Sequence, residues 1–250
     1  MGESYRGSIG SLKEFWEERG RTGSFERGYN IRLEGISSIV RRVARFIDGK
    51  RVLDIGCGPG IAASLFPTNA QVIGLDFSIS MLRSAKNRIQ YLIRGNAFNL
   101  PFRNGVFEVS TCFFVASDYS PKDGIFSEAY RILAKGGLFL FADYSPNDEH
   151  WILKRRMRPL LGESCNIFIE GSESLRIALE RAGFKVQATE FIRFNPRFEL
   201  GWYIKSEKEL AQLSEIDPSL WKHIQCDLDN KRIRREFTLI ISKKDSALKK

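Results

Sequence analysis

The chain has 250 residues, 43% of them hydrophobic, which is enough to bury a sizeable core and is the composition of a globular rather than a disordered protein. No apolar run approaches the roughly 20 residues of a membrane span, and the opening MGESYRGSIGSLKEFWEERG lacks a signal-peptide core, so a cytoplasmic protein is expected. The net charge of +9 admits a nucleic-acid partner, but much of the excess sits in a basic tail (Lys231, Arg232, Arg234, Arg235, Lys243, Lys244, Lys249, Lys250) that reads as a solvated end.

Cys57, Cys112, Cys165 and Cys226 form no CxxC pair, and with only His150 and His223 beside them no metal site is expected. Along the chain, Ile36, Ile39, Val40, Val43 and Ile47 recur at steps of three and four, with Arg41, Arg42 and Arg45 between them. This is an amphipathic helix, and Gly49 is placed to stop it. RVLDI follows as a buried strand, then three glycines, then a short helix through IAASLF ended by Pro67. QVIGLD is a second strand, and Ser78 is positioned to cap the helix after it.

YLIRG, VFEVSTCFF and GLFLFAD are the third, fourth and fifth strands. Before the last of these, DGIFSEAYRILAKGG reads as a helix closed by Gly136 and Gly137. SESLRIALERAGF is another helix, and the strands KVQATEFIRF and EFTLIIS complete the series. Apolar strands alternating with helices predict an α/β fold, a mostly parallel sheet covered on both faces. Residues 145–171 and 195–235 break the alternation. They leave from strand ends, so they are expected to stand over the ligand crevice as a substrate lid. Residues 1–30 form a further candidate lid segment beside a cofactor-binding core at 31–144, all within one domain.

The glycines in RVLDIGCGPG fall at Gly56, Gly58 and Gly60, so the third comes four positions after the first, one short of the dinucleotide fingerprint. Asp54 ends the strand just before the turn. A carboxylate there suits an ammonium group better than a pyrophosphate. Asp76 ends the second strand about twenty residues on, where an acidic side chain accepts from ribose hydroxyls. The ligand implied has an amino group and a ribose and lacks phosphates.

VLDIGCGPG, VIGLDFSISMLRSAK, GNAFNLPFRNGVFEV and EAYRILAKGG, in that order, resemble the successive motifs of the class I S-adenosylmethionine-dependent methyltransferases, over roughly residues 36–142. The pattern is that of the small-molecule, ubiquinone/menaquinone-methyltransferase-like members. The resemblance implies a Rossmann-like seven-stranded sheet with its last strand antiparallel and helical insertions over the active-site edge. It implies S-adenosylmethionine as cofactor, with Asp54 and the backbone of Gly56, Cys57, Gly58 and Gly60 at the methionine portion. Asp76 would take the ribose, Phe77 and Phe98 the adenine faces, and Asn96 and Ala97 its edge, with Met81 and Phe113 completing the set. Where related enzymes read GVLHH after the fourth strand, this chain has FVASDYS, so Ser117 and Asp118 replace the histidines.

Candidate catalytic residues are Asp118, Tyr144 and His150. Trp151, Trp202, Tyr203 and Trp221 are read as lid core. Arg155, Arg156 and Arg158 would favour a carboxylate or phosphate on the substrate if they point inward. Three functions stay open at this stage: methyl transfer to an O, N or C nucleophile of a small-molecule acceptor, methyl transfer to RNA, and a non-catalytic cofactor-binding module.

Overall fold

The computed structural model describes residues 9–22, 30–160, 167–197, 211, 215, 217–222 and 232–245. Its centre is a seven-stranded sheet in the order β3-β2-β1-β4-β5-β7-β6. The strands are β1 (Arg51–Ile55), β2 (Gln71–Asp76), β3 (Tyr91–Arg94), β4 (Phe107–Phe113), β5 (Leu133–Tyr144), β6 (Phe184–Phe194) and β7 (Arg235–Lys244). Strands β1 to β5 pair in parallel, and β7 runs antiparallel to both β5 and β6. This is the sheet expected from the sequence, with the last strand reversed.

Alternate residues along each strand feed two cores. On one face Val52, Val109, Leu140 and Leu239 pack with α2 (Asn30–Ile47), whose Ile36, Ile39, Val40, Val43 and Ile47 are all buried. On the other face Leu53, Phe139, Phe141 and Ile240 pack with α4 (Asp123–Ile132) and α6 (Ser172–Arg181). The period-2 alternation of strand side chains is what separates the two layers. Helix α2 stops where expected, with Gly49 at φ 66°.

Two sequence expectations are corrected here. The stretch IAASLF forms a single 3-10 turn at Ala63–Leu65, because the few residues between the glycine turn and Pro67 are too short for a stable α-helix. The helix read through to Gly136 ends at Ile132. Leu133 instead joins β5 opposite Phe107, with an irregularity before Val109 meets Leu138.

The N-terminal segment contributes α1 (Ile9–Arg21), which lies across the start of α3 (Ile79–Ala85). Gly20 permits the approach, since a Cβ there would come within 2.7 Å of Ser80 Cβ. Glu17 then accepts from the backbone N–H of Ile79 at 2.9 Å and of Ser80 at 3.0 Å, while Ser78 Oγ accepts from Met81 N. Donors at the N-terminus of α3 are thus satisfied partly from another helix. Burial opposes, but these hydrogen bonds together outweigh it and hold the Glu17 carboxyl below the usual range.

After β5 the chain forms α5 (Glu149–Leu160). A buried ion pair anchors its start, with Arg235 Nε donating to Asp148 at 2.8 Å and Glu236 N donating to the same carboxylate. The far side of this segment returns to the loop after β4. Buried Lys122 donates to Tyr119 O, Phe168 O and Glu170, and Phe168 N donates to Ser117 O. Most of 195–235, including Trp202, Tyr203 and His223, lies outside the described residues, as do Cys165, Cys226 and the last tail lysines.

Candidate cofactor site at the strand ends

The carboxyl ends of β1, β2, β3 and β4 meet at one cavity, on the edge where the strand order reverses between β1 and β4. Asp54 stands in register with Thr111 across β1 and β4. That pairing brings the Thr111 hydroxyl to Asp54 Oδ1, to which it donates at 2.6 Å. Asp54 Oδ2 is buried with no hydrogen-bond partner among the described residues. Burial pushes the Asp54 carboxyl up to about 7, eased by the Thr111 bond and reinforced by the charge of Asp76. A buried carboxylate oxygen without a partner, on a residue that lines a cavity, awaits a donor, and a cationic one most of all.

The turn after β1 is bare by necessity. Gly56, Gly58 and Gly60 all have positive φ, at 68°, 53° and 78°. A Cβ on Gly56 would collide with Val115, whereas one on Gly58 would meet no atom of the described residues within 4 Å. Gly58 therefore presents open backbone to the cavity. Gly60 instead lies against Ile89 and Ala85 beneath the turn. Cys57 is buried beside the two aspartates; burial first, then their charges, pushes its thiol well up, so it is an inert filler.

Asp76 is buried at the end of β2. Its Oδ2 accepts from Gly58 N and its Oδ1 from Ser78 N, each at 2.9 Å. The carboxylate thus ties the glycine turn to the start of α3, and each oxygen keeps a lone pair for a further donor. Burial, against these bonds, pushes it up to about 6.

Phe77, Met81, Gly95, Ala97 and Phe113 also line the cavity. Asn96 and Phe98 do not stand among the lining residues. Asn96 Oδ1 accepts from Phe98 N, and the Phe98 ring packs edge-on to Tyr119. Of the three candidate catalytic residues, the structure brings only Asp118 to the cavity wall. Tyr144 is buried in an aromatic cluster with Phe114, Trp151 and Phe237, and buried His150 packs edge-on to Trp151. Arg156 pairs with Asp217 and Ser219, and Arg155 reaches Ile167 O.

Sequence reasoning missed three residues that shape the site, Thr111, Tyr119 and Trp16. Thr111 was legible as a polar residue in a buried strand, but its partner depends on register. Tyr119 follows Asp118 onto the wall. Trp16 arrives from α1 and donates from Nε1 to Asp118 Oδ2 at 2.9 Å, across 102 residues of sequence. Phe114 lines the wall at φ 59°, an uncommon conformation for a bulky residue.

Residues 53–141 match the model of a family described as a methyltransferase domain. Over this stretch the chain is similar to S-adenosylmethionine-dependent methyltransferases. The matched residues run from β1 to β5, so the methyltransferase domain contains Asp54, the glycine turn, Asp76 and Asp118. An uncharacterised protein of Methanocaldococcus jannaschii is 31% identical over 150 residues, 59% of this chain and 57% of that one. A demethylmenaquinone methyltransferase of Corynebacterium kroppenstedtii is 30% identical over 116 residues, 44% of this chain and 51% of that one. The chain spans about half the length of these curated relatives. Magnesium protoporphyrin IX methyltransferase from Synechocystis PCC 6803, solved with bound S-adenosylhomocysteine, has the same fold at a TM-score of 0.66. It is 14% identical, over 95% of this chain and 100% of that one. Among the described residues, no helix is long and apolar enough to cross a membrane.

Proposed function

We propose that this protein transfers the methyl group of S-adenosylmethionine to a nucleophile on a small-molecule acceptor. The observation that carries the reading is the partnerless Asp54 Oδ2, buried at the cavity beside the bare face of Gly58. A cofactor with an amino group supplies the missing donor, and a ribose supplies hydroxyls to Asp76. Phe77, Gly95 and Ala97 stand where an adenine would lie. Bound there, S-adenosylmethionine supplies an electrophilic methyl group whose leaving group is a neutral thioether that needs no proton.

The chain's own contribution is alignment and exclusion of water. Asp54 and Asp76 fix the two ends of the cofactor, and the Phe113–Phe114 bend forms the wall between cofactor and acceptor. Segments 1–30, 145–171 and 195–235 act as the lid. In support, Trp16 reaches the cavity from α1, and Lys122 fastens residues 168 and 170 to the loop after β4. A covered cavity of this kind suits a compact acceptor. Relatives named as demethylmenaquinone methyltransferases act on a small molecule rather than on RNA.

Transfer of label from methyl-labelled S-adenosylmethionine to a metabolite extract, with total RNA in parallel, tests the proposal. Label in small molecules that is insensitive to salt supports it. Salt-sensitive label in RNA alone would replace it.

A further inference from the structure

We propose that α1 is a strap that opens to let S-adenosylmethionine in and S-adenosylhomocysteine out, with the Glu17 carboxylate as its latch. The proposal rests on the methyltransferase reading and adds to it the control of cofactor exchange.

Two neighbouring residues of α1 fasten it on both sides of β1. Glu17 accepts from Ile79 N and Ser80 N, just beyond β2, at 2.9 and 3.0 Å. Trp16 donates to Asp118 Oδ2, beyond β4, at 2.9 Å. Strands β2 and β4 flank β1 in the sheet. The helix therefore crosses the crevice at the end of β1, and Trp16 forms part of the cavity wall with Asp54, Gly58 and Asp76. Arg19 lies over the Trp16 ring at 5.7 Å and steadies it from its own helix.

What holds α1 down is polar. No residue from Leu12 to Arg21 is fully buried, and Phe15 is half exposed. Gly20 lets the backbone approach Ser80 but brings no apolar side chain to the contact. A helix without a buried stripe takes little stability from the hydrophobic effect and opens at a lower free energy than the sheet beneath it. Helix α3 is set differently, because its Met81, Leu82 and Ala85 are buried. The parting line thus falls between α1 and α3, where Glu17 makes its bonds. It also runs beside the cofactor's own anchor, since Asp76 holds Ser78 N and Glu17 the next two N–H groups along the chain.

Opening precedes passage in both directions, so a weaker latch speeds entry and exit together. A residue that only supported the bound cofactor would instead show itself as faster exit and an equal loss of affinity.

Surface plasmon resonance with S-adenosylhomocysteine over the immobilised full chain reads both rates. Glu17→Ala removes both bonds and leaves a good helix former in α1. Association and dissociation are expected to quicken together, each by roughly tenfold or more for the loss of charge-assisted hydrogen bonds, with affinity changing by less than either rate. Glu18→Ala takes the same charge from the next residue and breaks its pairing with Arg21. It is expected to keep the wild-type rates. In the wild type alone, amide exchange should be faster along Ile9–Arg21 than at Leu82 of α3. Unchanged rates in Glu17→Ala, rates quickened equally in Glu18→Ala, or faster dissociation matched by an equal loss of affinity would each overturn the proposal. So would an α1 protected from exchange as well as Leu82. Failure of S-adenosylhomocysteine to bind the wild type would overturn the methyltransferase reading, and the strap as its gate along with it.

Discussion

The Thr111 hydroxyl donates to Asp54 Oδ1 across the β1–β4 register and leaves Asp54 Oδ2 buried and unpartnered at the cofactor cavity. One strand pairing thus prepares a carboxylate for a ligand that the protein itself does not supply. The cost falls on the unliganded fold. Burial raises the Asp54 carboxyl from 3.8 to about 7.

The sign of the resulting pH dependence follows. Between these two values the folded chain holds a proton that the unfolded chain has lost, so the stability from this group falls as pH rises and is recovered as pH falls. Asp54→Asn should therefore melt higher than the unliganded wild type near pH 8, with the difference shrinking toward about pH 5. Melting curves of the two proteins across this window check it. A variant that melts lower at the alkaline end would show that Asp54 stabilises the empty fold.

The glycine turn makes a separable pair of predictions. Gly56→Ala should destabilise the protein, because its methyl meets Val115. Gly58→Ala adds a methyl to open space, so the fold should lose only about 1 kcal/mol for the positive φ while cofactor affinity drops sharply. Melting temperature and S-adenosylhomocysteine affinity, measured on both variants, should move in opposite proportions. Unchanged affinity in Gly58→Ala would mean that the turn does not touch the cofactor.

Asp76→Ala removes the ribose acceptor and also orphans the N–H groups of Gly58 and Ser78. Cofactor affinity should fall by about 1–3 kcal/mol, with some loss of stability alongside. 2′-Deoxyadenosyl analogues serve as the control: they should lose affinity for the wild type and little further for Asp76→Ala. Additive losses would remove Asp76 from the ribose.

Glu17→Gln should loosen α1 from α3, and Trp16 of the cavity wall with it, because the amide keeps one acceptor oxygen for two N–H donors. Amide hydrogen exchange is expected to rise along Ile9–Arg21 and at Ile79 and Ser80, and to stay unchanged in β4 and β5. Unaltered exchange in α1 would show that the Glu17 bonds do not hold the helix in place.

Local sequence carried the parts of this molecule that depend on period and on special residues. The α2 stripe from Ile36 to Ile47 and the glycines with positive φ were readable because side-chain spacing and backbone bareness are written in the chain itself. Asp54 and Asp76 were readable for the same reason, as charges at the ends of apolar strands. What escaped depended on tertiary placement. Trp16 and Glu17 are ordinary residues of a polar helix until α1 is laid on α3, and Tyr144 looked like a crevice residue until Phe114, Trp151 and Phe237 closed around it. Arg155 and Arg156 resembled an anion site, but their partners lie outside any local pattern.

The most direct test is calorimetric titration of S-adenosylmethionine and of NAD into the wild type and into Asp54→Asn near pH 8, where Asp54 is ionised. S-adenosylmethionine should bind the wild type at one site and the variant at least roughly tenfold more weakly, for loss of a charge-assisted hydrogen bond, while NAD gives no binding heat. Tight binding of NAD without S-adenosylmethionine, or equal S-adenosylmethionine affinity in the two proteins, would contradict the assignment of this cavity.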